Sequence, residues 1–128
     1  MELAQTANEF DILLVQAIEE TIKYCLGETN ANVIRNYLEA RDLPLSEIPN
    51  KPELFSNELR NILGFGSRQI LCAASILEET ILEVLCKKLG IKADYERPPD
   101  FPRQIRKLRN MQKRIVLKNV EISEQKSI

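Results

Sequence analysis

The sequence predicts an all-α fold, a compact four-helix domain followed by a basic amphipathic helix. Three observations predict it. Apolar residues recur at three- and four-residue spacing in successive segments, cap and stop residues stand at the ends of those segments, and the alternation expected of strands is nearly absent. With 128 residues the chain can bury a single core without metals or disulfides. Its 44% hydrophobic and 29% charged residues, with 4 Gly and 6 Pro, are those of a globular protein.

The first helix is expected over residues 8–26. Phe10, Leu14, Val15, Ile18, Ile22 and Cys25 form its stripe, Glu19 and Lys23 make an i,i+4 pair, and Gly27 is its stop. The second covers residues 30–41, with Asn30 as its cap and Val33, Ile34, Tyr37 and Leu38 as its apolar side. Residues 42–50 read as an irregular connection broken by Pro44 and Pro49, with Leu43, Leu45 and Ile48 laid against the core. Asn50-Lys51-Pro52-Glu53 starts the third helix: a cap residue, an early proline and a glutamate in the first turn. Leu54, Phe55, Leu59, Ile62 and Leu63 give it a stripe, and Gly64-Phe65-Gly66 ends it. Ser67 can cap the fourth and longest helix, which runs to Leu89 with Gly90 as its stop. Its long, wide stripe of Ile70, Leu71, Ala73, Ala74, Leu77, Ile81, Val84, Leu85 and Leu89 suggests the central helix. This organisation divides the chain into a helical core domain at 1–91, a linker at 92–100 stiffened by Pro98-Pro99, and a basic helix with a frayed tail at 101–128. Asp100 is the expected cap of the fifth helix, which starts near Pro102 and runs to about Lys118.

The absence of histidine removes Ser-His-Asp and Cys-His catalysis and most zinc and haem sites. Cys25, Cys72 and Cys86 form no CxxC and read as reduced thiols packed in helix cores. Glu19, Glu20, Glu78 and Glu79 lack the histidines of a di-iron bundle and read as solvated faces. Gly64-Phe65-Gly66-Ser67 lacks the Lys-Ser/Thr of a phosphate loop, and only the nearby Arg68 suggests an anion there. No pair of groups has the spacing that acid–base or nucleophilic work demands, so the chain is read as a non-enzyme without cofactor, metal or small-molecule substrate. It carries no signal peptide, apolar span or lipidation box, so a cytoplasmic protein is expected.

The informative feature is charge. Residues 1–90 hold 8 Lys/Arg against 14 Asp/Glu, whereas residues 91–128 hold 10 against 5, within a net charge of -1. Between Phe101 and Val120 stand Arg103, Arg106, Lys107, Arg109, Lys113, Arg114 and Lys118, with no acid among them. On a helical projection they fill one side, and Phe101, Ile105, Leu108, Met111, Ile115 and Val116 fill the other, with Leu117 the misfit. Such a helix can seat its apolar side on a core, dock on a partner, lie on a membrane or track phosphates.

Ala17-Ile18-Glu19-Glu20-Thr21 through Leu26-Gly27, Leu54-Phe55 through Leu63-Gly64-Phe65-Gly66, and a long helix ending Leu89-Gly90 together resemble a small archaeal domain family, the fifth of the thaumarchaeal output domains. The resemblance covers roughly residues 10–91. It implies a helical regulatory or sensory-output module and brings no catalytic residues with it. The function expected is therefore a non-enzymatic regulatory or interaction module that self-associates as a homodimer or docks a protein partner. The alternative is a nucleic-acid-associated protein that binds phosphates through the 101–118 helix. Membrane-surface binding ranks behind both, because a covered apolar side would preclude it.

Overall fold

The computed structural model describes the backbone of residues 2–64, 73–95 and 98–126, and the side chains of 9–64, 73–95 and 98–114. Within them the fold is all-α: α1 (Glu2–Leu26), α2 (Glu28–Ala40), a 3-10 turn (Leu45–Asn50), α3 (Pro52–Leu63), α4 (Ala73–Leu89) and α5 (Phe101–Lys126). The expected cap Ser67, Arg68, the stripe residues Ile70 and Leu71, Cys72 and most of the Gly64-Phe65-Gly66 corner lie outside the described residues.

Helix ends depart from the expected positions for local reasons. α1 starts at Glu2, ahead of residue 8, and α5 continues to Lys126, past Lys118 and into the segment 123–128 expected to fray, whose last two residues lie outside the described ones. α2 starts at Glu28 because Gly27, at φ 85°, takes the cap position itself and its carbonyl accepts the amide of Ala31 at 2.9 Å. Asn30 is thus inside the helix, and its side-chain amide donates back to the Leu26 carbonyl. Lys51, not Asn50, is the cap of α3, with Pro52 following in the first turn, where its missing N–H costs nothing. The connection at 42–50 is more regular than expected, since 45–50 forms the 3-10 turn, and Leu43 and Ile48 are buried as the sequence suggests.

α2 closes on an unexpected residue. Asp42 adopts φ 58°, with its amide donating to Glu39 O and the Leu43 amide to Leu38 O. This is a Schellman closure, in which the left-handed position usually belongs to glycine. Leu43 is driven under the helix end by it, into the same core as Leu38. Gly90 closes α4 in the same way, with Ile91 donating to Cys86 O.

One core joins all the elements. Phe10, Leu14 and Ile18 of α1, Leu38 of α2, Phe55 and Leu59 of α3, Ile81, Leu82 and Leu85 of α4 and Phe101 and Ile105 of α5 belong to a single buried cluster. α1 packs on α2, α4, α5 and the 3-10 turn, while α4 packs on α1, α3 and α5, so the central place expected of α4 is shared with α1. Nor is α4 the longest helix, since α1 with 25 residues and α5 with 26 exceed the span expected of it. Four stripe residues are corrected outward. Cys25 is exposed in the last turn of α1, Val33 is half exposed, Leu54 lies on the outer side of α3, and Ala73 is exposed in the first turn of α4. Cys86 is buried, and loss of hydration pushes its thiol above the ordinary range, with Glu83 adding to the shift.

The largest correction concerns Glu78, expected on a solvated face. Its side chain is 0% exposed, because Ala74 and Leu82, one turn to either side, place it inside the α4 stripe. Arg60 of α3 neutralises it with Nη2 at 2.9 Å from Oε1. Ser56 Oγ donates to Oε2 at 2.5 Å, and Arg60 also donates to Ser56 Oγ and to Ser75 Oγ. The other expected solvated carboxylates are at least partly exposed. Glu19 meets Lys23 and Arg35, and Glu20 meets Lys88.

Two substitutions test this account. Replacing Arg60 by Met strands a buried carboxylate and is expected to cost about 3–5 kcal/mol in chemical denaturation, while Arg60→Met with Glu78→Leu should recover most of the loss. Equal losses in single and double variants would show that packing, not charge, joins α3 to α4. Asp42→Gly should raise stability by up to about 1 kcal/mol, since it relieves a left-handed non-glycine residue. A lower thermal midpoint would contradict this.

Candidate functional site

The candidate surface is built on the first half of the described α5. Asp100 opens the helix as expected, its Oδ1 accepting the Arg103 amide at 3.3 Å and its carbonyl the Gln104 amide at 3.0 Å. Phe101, Ile105 and Leu108 are 1%, 0% and 6% exposed, and Met111 packs against the same cluster. The Phe101 ring lies 5.6 Å from that of Phe55, tilted by 51°. The apolar side of α5 is therefore covered by its own chain from 101 to 111. No helix among the described residues is long and apolar enough to cross a membrane.

This seating sorts the basic residues into two groups. Arg109 stands at the border of the apolar arc and turns into the body. Its Nη2 donates to Asp11 Oδ1 at 3.2 Å and to Pro49 O at 2.7 Å, and its guanidinium lies 5.2 Å from the centre of the Phe10 ring. Arg106 pairs with Glu53 at the start of α3, and that hydrogen bond holds the Glu53 carboxyl below its ordinary range, helped by Glu53's own backbone amide. These two residues join α5 to α1, the 3-10 turn and α3.

Arg103, Lys107, Lys113 and Arg114 are exposed on the outward side and have no ion-pair partner among the described residues. Asn110 lies between them and is exposed too. The structure thus brings Arg103, Lys107, Lys113 and Arg114 onto one solvent-facing surface, while Arg109 turns into the body and Arg106, itself exposed, is engaged by Glu53. The side chain of Lys118, and those of Ile115, Val116 and Leu117, lie outside the described residues.

At its N-terminal end this surface borders an open cleft of about 490 Å³, lined by Asp94, Tyr95, Pro98, Asp100, Arg103, Gln104 and Lys107. The Tyr95 hydroxyl donates to the Glu79 carbonyl at 3.2 Å and fastens the connection to α4. The two carboxylates, Asp94 and Asp100, moderate the positive charge of Arg103 and Lys107 at this end.

Sequence reasoning missed a second polar cluster. Glu58 of α3 is buried, accepts from the Asn61 amide at 3.3 Å, and faces Arg41 Nε at 3.1 Å in a charge contact that falls short of hydrogen-bond geometry. The Tyr37 hydroxyl is raised above its ordinary pKa, first by desolvation and then by its hydrogen bond to Glu58. Arg41 also stacks over the Tyr37 ring at 4.6 Å. The i,i+4 spacing of Tyr37 and Arg41 was the available signal. The cluster ties α2 to α3 and gathers no group of three metal-ligating side chains; none occurs among the described residues.

Compared with models of known protein families, with curated proteins and with solved structures, the chain matches none of them.

Removing a body-facing cation should therefore differ from removing an outward one. Arg109→Ala is expected to cost about 1–3 kcal/mol, because it leaves Asp11 and the Pro49 carbonyl without their donor. Arg103→Ala, Lys107→Ala and Arg114→Ala should each stay within about 0.5 kcal/mol of the parent chain. Urea midpoints measure the contrast, and equal losses at all these positions would refute the sorting.

Proposed function

We propose that the protein is a non-enzymatic interaction module that meets an anionic partner through the outward side of α5. The observation that carries this reading is the exposed set of Arg103, Lys107, Lys113 and Arg114 on a helix whose apolar side, from 101 to 111, is sealed into its own core. A helix seated in this way leaves its polar side, not its apolar one, for a partner, which argues against insertion into a membrane surface. The buried carboxylates also favour a non-enzymatic reading. Glu78 is closed off from solvent and Glu58 nearly so, and each faces an arginine that joins two helices.

Ion-exchange behaviour tests the reading, because the net charge of -1 opposes retention on an anionic matrix. The full chain should nonetheless bind a sulfonated matrix at pH 7 and low salt, held by the local surface. The variant Arg103→Glu, Lys107→Glu, Arg114→Glu should pass through it with an unchanged far-UV circular dichroism spectrum. Passage of the parent chain would overturn the reading.

A further inference from the structure

Resting on that reading, we propose that the partner is a double-stranded nucleic acid, gripped through its phosphates without regard to base sequence. The described outward side of α5 lacks apolar anchors. Its exposed residues from 103 to 114 are Arg103, Arg106, Lys107, Asn110, Lys113 and Arg114, all polar. Protein interfaces depend on a desolvated centre of aromatic and aliphatic anchors, from which charged residues, lysine above all, are depleted. This side of the helix offers no such anchor. A phosphate backbone needs none, because its affinity comes from the release of condensed counterions by each cation that approaches it.

The charge layout also disfavours a second copy of this chain as the partner. Of the acidic residues in the body, Asp11, Glu19, Glu20, Glu53, Glu58 and Glu78 already face cations of their own chain. Most of these pairs lie within the body and are already counted in its charge, but Arg106 and Arg109 of α5 take Glu53 and Asp11, so the acidic excess left for a second copy is smaller by two. A polyphosphate presents unneutralised charge at regular intervals along its whole length.

Geometry is consistent with a duplex. Arg103, Lys107 and Arg114 form one row along α5, spaced by about 6 and 10 Å, and Lys113 lies on the other side of Asn110. A helix of about 10–12 Å diameter with cations on both flanks matches a groove about 12 Å wide with phosphates on both walls. The opposite side of the helix is fixed to the core by Phe101, Ile105 and Leu108, so the cations are presented by a rigid element.

The test is fluorescence anisotropy of a labelled 20-base-pair duplex of arbitrary sequence, titrated with the full chain between 50 and 200 mM salt. Binding is expected, with a slope of log K against log salt of roughly -3 to -4, near 0.9 for each of the four outward cations. Unlabelled duplexes of unrelated sequence should compete equally. The variant Arg103→Ala, Lys107→Ala, Arg114→Ala should cut the slope to about -1, whereas Arg103→Lys with Arg114→Lys, which keeps the charge, should bind as the parent does. If the chain is retained on the sulfonated matrix but binds only poly-glutamate, or only itself in sedimentation, the nucleic-acid inference falls and the basic-surface reading stands. If it binds none of these and is not retained, both fall. Duplex binding that survives the alanine variant unchanged places the contact elsewhere and overturns the inference.

Discussion

A carboxylate placed in the middle of an apolar stripe sets the arrangement of this fold. Glu78 cannot keep its charge in the core without a cation beside it, and the cation has to come from a neighbouring helix at one particular rotation and height. Arg60 meets that demand only when α3 presents its Ser56–Arg60 flank to α4. Once α3 is fixed, the rest of its surface is assigned. Phe55 faces Phe101, Glu53 faces Arg106, and Glu58, on the opposite flank, faces Arg41. A buried ion pair adds little net stability over a well-packed apolar pair, because both charges lose their hydration. Its larger effect here is on specificity. Apolar packing of Leu59 and Ile81 tolerates sliding and rotation, whereas an unpaired Glu78 does not.

The same division between packing and pairing runs along α5. Phe101, Ile105 and Leu108 supply area, and Arg106 and Arg109 supply orientation by reaching carboxylates on α3 and α1. Arg103, Lys107, Lys113 and Arg114 stay exposed and pair with no described carboxylate. Basic residues that fill one side of an isolated helix are thereby resolved into contacts that hold the fold and a surface that the fold does not use. A local excess of positive charge results on a chain whose total is slightly negative. Steering by such a surface is lost within about a Debye length, near 10 Å at 0.1 M salt, so it acts on partners at close range and weakens steeply as salt rises.

Helix content and most of the core were legible in the sequence because both follow from local periodicity. Phe10, Leu14, Ile18, Leu38, Phe55, Leu59, Ile81, Leu85, Phe101 and Ile105 are buried where the stripes put them. Gly90 and Pro52 mark helix ends by their own backbone preferences, which need no tertiary contact. Gly27, Gly64 and Gly90 would do so in any helical chain, so the resemblance built on them carries helix boundaries and no functional residue. What was not legible depends on partners distant in sequence. Glu78 was assigned to solvent on residue type, although its spacing from Ala74 and Leu82 placed it on the buried side. Arg60, eighteen residues earlier, and Ser56 make that position tenable. The split of the basic residues was hidden for the same reason, since Asp11 lies 98 positions from Arg109. Cys25 shows the converse error: it sits on the stripe by periodicity, but in the last turn of α1, where the stripe has no cover.

The contacts that hold the fold and the exposed cations are different residues of one helix, and this has a physical consequence. The outward cations make no contact that the core needs, so their number and placement can change with little effect on stability. Arg109 has no such freedom, since its donors satisfy Asp11 and the Pro49 carbonyl and its guanidinium covers Phe10. A helix organised in this way is a fixed rod whose charged side is presented without an ordering step, so little conformational entropy is lost when a partner arrives. Under the proposed reading, any specificity comes from shape and charge spacing, because the described outward side of α5 carries no apolar anchor and a phosphate backbone needs none.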